Sequence, residues 1–225
     1  SNTTLSILDD GTGMNNEQLI QAMRPGSRNP LEERTSNDLG RFGLGLKTAS
    51  FSQSRKFTVF SKAKDYKPIY WTWDLDYVNQ AQAWKLIRHI PDEEYWTHKI
   101  ETLETGTCVV WWDLDRLTKD TAEDNEEAKA KFMGIMDSIK SHLSMVFHRY
   151  MDEGLKIYFR EREIKAWDPF MIGADGLQTK PETRLEGGSI RIKGFVLPHR
   201  SKLSAEQYNY GKGPKDSWTG HQGFY

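Results

Sequence analysis

Asp9-Asp10-Gly11-Thr12-Gly13-Met14 and Gly40-Arg41-Phe42-Gly43-Leu44-Gly45-Leu46-Lys47 are the two stretches on which the fold of this chain turns. Residues 3–8, Thr-Thr-Leu-Ser-Ile-Leu, alternate and predict a strand running straight into Asp9. A carboxylate at the end of a buried strand can accept the hydrogen bond of an exocyclic amine on a purine. A base presenting the wrong edge would leave that charge unpaired. Gly11 and Gly13 let the backbone turn and come close to a flat ring. In the second stretch three glycines lead into a helix predicted from Leu44, Leu46, Ala49, Ser50 and Phe51. Consecutive backbone N–H groups at a helix N-terminus make an anion site, and the helix dipole adds to it. Lys47 is either a charge for that anion or an ordinary solvated helix lysine.

Neither stretch is a common phosphate loop. No strand leads into Gly40, so the dinucleotide fingerprint is absent, and Lys47 does not follow a glycine as a Walker loop requires. Between the stretches, Asn15 predicts an N-cap with Gln18 as its capping-box partner. Leu19, Ile20 and Met23 form the apolar stripe, and Pro25-Gly26 ends the helix. Residues 27–39 are polar with few apolar anchors and predict a loop of the kind that serves as a lid.

The chain has 225 residues, 37% of them hydrophobic and 28% charged, which indicates globular structure rather than disorder. A net charge of -1 gives no global attraction for nucleic acid. The single Cys, Cys108, excludes an internal disulfide and reads as a small buried hydrophobe in a reducing compartment. No apolar run approaches the roughly 20 residues of a membrane span, so the expected location is cytoplasmic.

Downstream, residues 56–61 and 69–75 alternate as strands, with Trp71, Trp73 and Leu75 on one face; residues 84–87 are a short strand candidate. Gly106 to Trp112 predicts a central strand, apolar on both faces. A charged run from Asp120 to Lys131 opens a long helix with one buried face through Phe132, Ile135, Met136, Ile139, Leu143, Val146, Phe147 and Tyr150. His142 and His148 on it read as structural, so no metal ligand is assigned. A hairpin is predicted over Arg160-Glu161-Arg162, with a break at Asp168-Pro169. A boundary is placed within residues 173–187. Ser189 to Leu197 predicts a strand opening a second unit, the remainder being loop-rich, with a last strand starting at Gly223.

Taken together, Asp9 to Met14, Gly40 to Lys47 and a later Gly106-Thr107 leading a strand resemble the GHKL (Bergerat-fold) ATP-binding superfamily of gyrase B, heat-shock-ninety chaperones, histidine kinases, MutL and MORC ATPases. The Gly-Leu-Lys ending at Lys47 and Asp113-Leu114 lean towards the MutL and MORC side. The resemblance implies an α+β, Bergerat-type sandwich of helices over a mixed, mainly antiparallel sheet at 1–172. It implies the incomplete start of a ribosomal-S5-like transducer domain at 188–225. By the same carry-over Asp9 binds the adenine amine, Gly11, Gly13, Met14 and Thr107 shape the base pocket, and Gly40, Arg41, Phe42, Gly43, Leu44, Gly45, Leu46 and Lys47 wrap the phosphates of ATP. Such proteins are ATP-gated clamps that dimerise and hydrolyse ATP with Mg2+; some handle DNA. A histidine-kinase module, or a non-hydrolysing sensor of chaperone-like type, shares the nucleotide boxes. The family's Glu and Asn, the general base and metal ligand, precede the first box, where this chain has no residues. The chain alone is therefore expected to turn ATP over poorly.

Overall fold

The alternating segments pair into one sheet in the computed structural model, which describes residues 4–26, 43–114, 126–213 and 216–217. The segment 27–39 predicted as a lid-like loop, Gly40, Arg41, Phe42, the start of the charged run and Gly223–Tyr225 lie outside the described residues. The chain forms two compact units, Ser1–Asn125 and Glu126–Tyr225, and no helix of the described residues is long and apolar enough to cross a membrane.

In the first unit β1 (Leu5–Asp9), β2 (Lys56–Lys62), β3 (Ile69–Asp74) and β4 (Gly106–Trp112) lie in the order β1-β4-β2-β3. Every pairing is antiparallel. The registers Ile7↔Val109, Val59↔Val109 and Val59↔Trp71 put the odd residues of all four strands on one face. Two helices cover that face, α1 (Asn16–Met23) and α2 (Gly45–Gln53), and Leu19, Met23, Phe57, Val59 and Trp73 form its core. The even residues face α4 (Glu93–Glu101), whose Trp96 and Ile100 pack on Phe60, Tyr70, Cys108, Val110 and Trp112. Sheet sandwiched between helices is the α+β, Bergerat-type arrangement the resemblance implies.

Alternation in β2 suggests a half-buried strand, yet Phe57 to Ser61 are all buried because helices lie on both faces. Polar side chains on this strand are satisfied across the sheet. Thr58 Oγ1 lies 2.8 Å from Thr72 Oγ1 and accepts from Trp112 Nε1 at 2.8 Å. β1 differs, since Ile7 and Leu8 are 53% and 40% exposed.

Leu75 does not extend β3. Asp74 accepts from the N–H groups of Asp76 and Tyr77 and starts α3 (Leu75–Ala81), a cap that ends the strand one residue early. Residues 84–87 give only a two-residue bridge, Thr72 to Ile87, while Trp84 stays 65% exposed. Neither α3 nor α4 is anticipated from apolar spacing.

The second unit opens with α5 (Glu126–Val146), followed by α6 (His148–Asp152). The stripe expected to be buried is only partly so: Met136 is buried, but Ile139, Val146 and Tyr150 are 37%, 41% and 42% exposed. The face that packs is the adjacent one, where Ser144 carbonyl accepts from Trp167 N–H at 3.0 Å. The predicted hairpin is present as β5 (Tyr158–Phe159) and β6 (Arg162–Glu163), with Arg160 at φ 57° in its turn. Short strands β7 (Gln178–Thr179), β8 (Thr183–Leu185), β9 (Ile190–Ile192) and β10 (Phe195–Val196) pair β7 with β10 and β8 with β9. The single strand predicted from Ser189 to Leu197 is thus two, broken before Gly194, whose carbonyl accepts from Lys180 N–H at 2.8 Å. The region expected as loop carries α7 (Ala205–Lys212), started by a Ser204–Gln207 capping box. Trp167 joins these parts, its Nε1 donating to Tyr210 carbonyl at 2.8 Å. His142 is exposed; His148 is buried, with Nδ1 2.6 Å from Met145 carbonyl and Nε2 3.8 Å from Asp168 Oδ1.

Burial pushes the Cys108 thiol from 9.0 up to about 11. A raised acid holds its proton longer in the folded state. That stabilisation is complete below pH 9 and is lost as pH rises through the folded value. Thermal melts should therefore show stability falling from pH 9 to 11, and Cys108→Ala should flatten the fall. An unchanged slope in the variant would refute the assignment.

Candidate functional site

The last residue of β1 and its neighbours across the sheet form a short polar row. Asp9 pairs with Thr107 of β4, and Thr107 pairs with Ser61 of β2. Direct partners share a sheet face, so the three side chains stand together at the end of the helix-covered face. Ser61 Oγ lies 3.1 Å from Thr107 Oγ1 and 3.1 Å from the Gly106 carbonyl oxygen, and it accepts from Met14 N–H at 2.8 Å. Asp9 is exposed; its Oδ1 accepts from Gly11 N–H at 2.9 Å, and Oδ2 has no protein partner among the described residues. That free oxygen is an acceptor held in place by its own turn.

The glycines have separate reasons. Gly13 has φ +64°, and a Cβ there would lie 1.9 Å from the Lys62 carbonyl oxygen. The first glycine stretch therefore lies directly on β2, where any side chain would force it off. A Cβ on Gly106 would lie 2.3 Å from the Asp9 carbonyl oxygen, so the β1–β4 join also demands glycine. From Met14 the chain enters α1 through the predicted capping box, Asn15 accepting from Gln18 N–H at 3.0 Å and Gln18 Oε1 from Asn15 N–H at 2.9 Å.

The second glycine stretch shares a core with the first. Met14 and Leu46 both pack on the core of Leu19, Met23, Phe57, Val59 and Trp73. Gly43 has φ +60° and turns the chain into α2. Leu44 caps that helix with no side-chain hydrogen bond, and a Cβ on Gly45 would meet open space. The N-cap residue thus supplies no side-chain acceptor to the first turn of α2, which suits an anion-accepting helix end. Lys47 is buried at 4% exposure and donates from Nζ to Ala22 carbonyl at 2.8 Å. Desolvation lowers its pKa. The structure places it as a tie between α2 and the end of α1, a position that neither the solvated nor the phosphate-facing reading of this residue foresaw.

Residues 1–107 match the family model described as Histidine kinase-, DNA gyrase B-, and HSP90-like ATPase. The matched span carries both glycine stretches and ends on Thr107, the middle of the polar row. It covers just under half of the chain's 225 residues and supports the GHKL superfamily, with ATP as the ligand of this module. No curated protein matches the chain.

Of the residues singled out from sequence, Asp9, Gly11, Gly13, Met14 and Thr107 come together around one point. Leu46 packs on the same core as Met14, whereas Leu44 and Gly45 are exposed and Gly43 is half-buried at the entry to α2. Gly40, Arg41 and Phe42 lie outside the described residues. Ser61 was missed. Its signal is a hydroxyl at an odd position of β2, where Phe57 and Val59 set an apolar face. Broad concavities along α4 and between α5 and the β5–β6 hairpin do not include this row, so hydrogen-bond geometry rather than enclosure marks it.

Gly13→Ala should cost about 2–4 kcal/mol, the αL strain adding to a backbone clash. Urea unfolding would measure it; a cost under about 0.5 kcal/mol, the level of an ordinary surface change, would show that the turn can leave β2 freely.

Proposed function

We propose that this chain is the ATP-binding module of a GHKL-type ATPase, nearest the MutL and MORC proteins, working as an ATP-gated conformational clamp. The observation that carries the reading is the free Asp9 oxygen beside Thr107 on one sheet face. Adenine offers an amine and a ring nitrogen side by side. An acceptor next to a hydroxyl matches that edge, and the amine of a bound adenine would leave no charge unpaired at Asp9.

The chain's own residues then divide the work. Asp9 holds the base by its amine. Gly13 keeps the turn on β2, so that Met14 N–H stays on Ser61 and the base meets a fixed shelf. The uncapped first turn of α2 receives phosphate oxygens through backbone N–H groups, with the residues from Gly40 to Leu44 wrapping them. Lys47 links that turn to α1, so phosphate binding at α2 would be felt at the end of α1. Mg2+ enters the proposal as the counter-ion that ATP carries, with no ligand on the chain assigned to it. Hydrolysis and nucleotide-gated homodimerisation belong to the same proposal, as does a domain division of 1–172 for ATP and 188–225 for an S5-like transducer. DNA contact is not part of it.

Calorimetric titration with a non-hydrolysable ATP analogue tests the base contact. Asp9→Asn should weaken binding at least about tenfold, the worth of a hydrogen bond to a charged group. Equal affinity in the variant and the wild type would remove the proposal.

A further inference from the structure

We propose that Ser61 is a positioning residue that sets the hydrogen-bond polarity of Thr107, and through it the choice of adenine over guanine; this rests on the ATP-site reading above. Ser61 is fully buried, in a row of otherwise apolar odd residues on β2. Its hydroxyl has one proton and two lone pairs. Met14 N–H takes one lone pair at 2.8 Å. The proton then has two acceptors at equal distance, the Gly106 carbonyl oxygen and Thr107 Oγ1, each at 3.1 Å.

The two choices present opposite faces to a ligand. When Ser61 donates to Thr107, the proton of Thr107 must turn away from Ser61 and is offered outward. Asp9 and Thr107 are then an acceptor beside a donor, the complement of the amine and N1 of adenine. When Ser61 donates to Gly106, Thr107 donates back to the remaining lone pair of Ser61 and turns its own lone pairs outward. Asp9 and Thr107 are then two acceptors, the complement of the N1–H and amine of guanine. The N–H of Met14 polarises Ser61 and strengthens its proton as a donor. A preference for adenine requires the first arrangement, with Ser61 donating to Thr107, so base choice runs through Ser61 although Ser61 need not touch the base.

Titrations of the whole chain with ATP, GTP and 1-deaza-ATP, in which a C–H replaces N1, separate this role from bracing. The wild type should bind 1-deaza-ATP about tenfold more weakly than ATP, one lost hydrogen bond. In Ser61→Ala the Thr107 hydroxyl can either donate or accept, so the penalty for 1-deaza-ATP should persist while the preference for ATP over GTP falls about tenfold. Thr107→Val should lose the penalty for 1-deaza-ATP. Ser61→Cys, nearly isosteric and a weak donor, gives the same readout should the alanine variant fold poorly. A brace alone would lower the melting temperature and weaken all three nucleotides equally; an unchanged ATP-to-GTP ratio overturns the proposal. A wild type that binds ATP through Asp9 yet keeps its full preference for ATP over GTP in Ser61→Ala removes this proposal and leaves the site. A wild type that binds no ATP removes both.

Discussion

Gly13 lies so close to the Lys62 carbonyl that no side chain fits between them, and much of the first unit follows from that contact. It brings the turn after β1 onto β2, across the intervening strand β4. With the turn in place, Met14 N–H reaches Ser61 and the capping box of Asn15 and Gln18 starts α1 at a set angle. α1 then buries Leu19 and Met23 against the odd face of the sheet. A positive φ and a forbidden Cβ are both conditions that only glycine meets without strain. Local backbone chemistry therefore decides where a helix docks.

α2 is held from two sides. Its apolar residues Leu46 and Phe51 enter the same core, while Ser50 accepts from Trp111 Nε1 at 2.9 Å and Lys47 reaches the Ala22 carbonyl. A buried lysine is costly, and its lowered pKa expresses that cost. The compensation is a direct link between two helices that both border the proposed nucleotide shelf. The N-cap residue Leu44 offers the first turn of α2 no side-chain acceptor. Tight anchoring along the helix and an open first turn suit a binding element that must be rigid behind and free in front.

The second unit obeys different rules. Its strands are two or three residues long, and single aromatic residues do much of the joining. Trp167 touches α5 through Ser144 and α7 through Tyr210, and a Cβ on Gly213 would lie 2.3 Å from its ring. Such a unit leaves weak periodicity in the sequence, because short strands do not repeat enough to be counted. The hairpin was legible from its flanking apolar residues, although the turn predicted over Arg160-Glu161-Arg162 is one residue shorter, Arg162 pairing with Phe159. The split near Gly194 was not, since Ser189 to Leu197 alternates throughout. α7 had a signal in Ser204 and Gln207, outweighed by the glycines and aromatic residues around it.

By itself the sequence determined the strands β1 to β4, the capping box of α1 and the buried state of Cys108. These are set by alternation, by capping chemistry and by backbone freedom, all of which act over a few residues. Only the tertiary structure decided that Asp9, Thr107 and Ser61 stand in one row, because strand order and register join residues 46 and 98 positions apart. Only it turned Lys47 inward, since a lysine in the first turn of a helix faces solvent or core according to what packs there. Ser61 shows the division most clearly: the sequence offers a serine in a strand, and the sheet makes it the link between a glycine turn and the Thr107 hydroxyl.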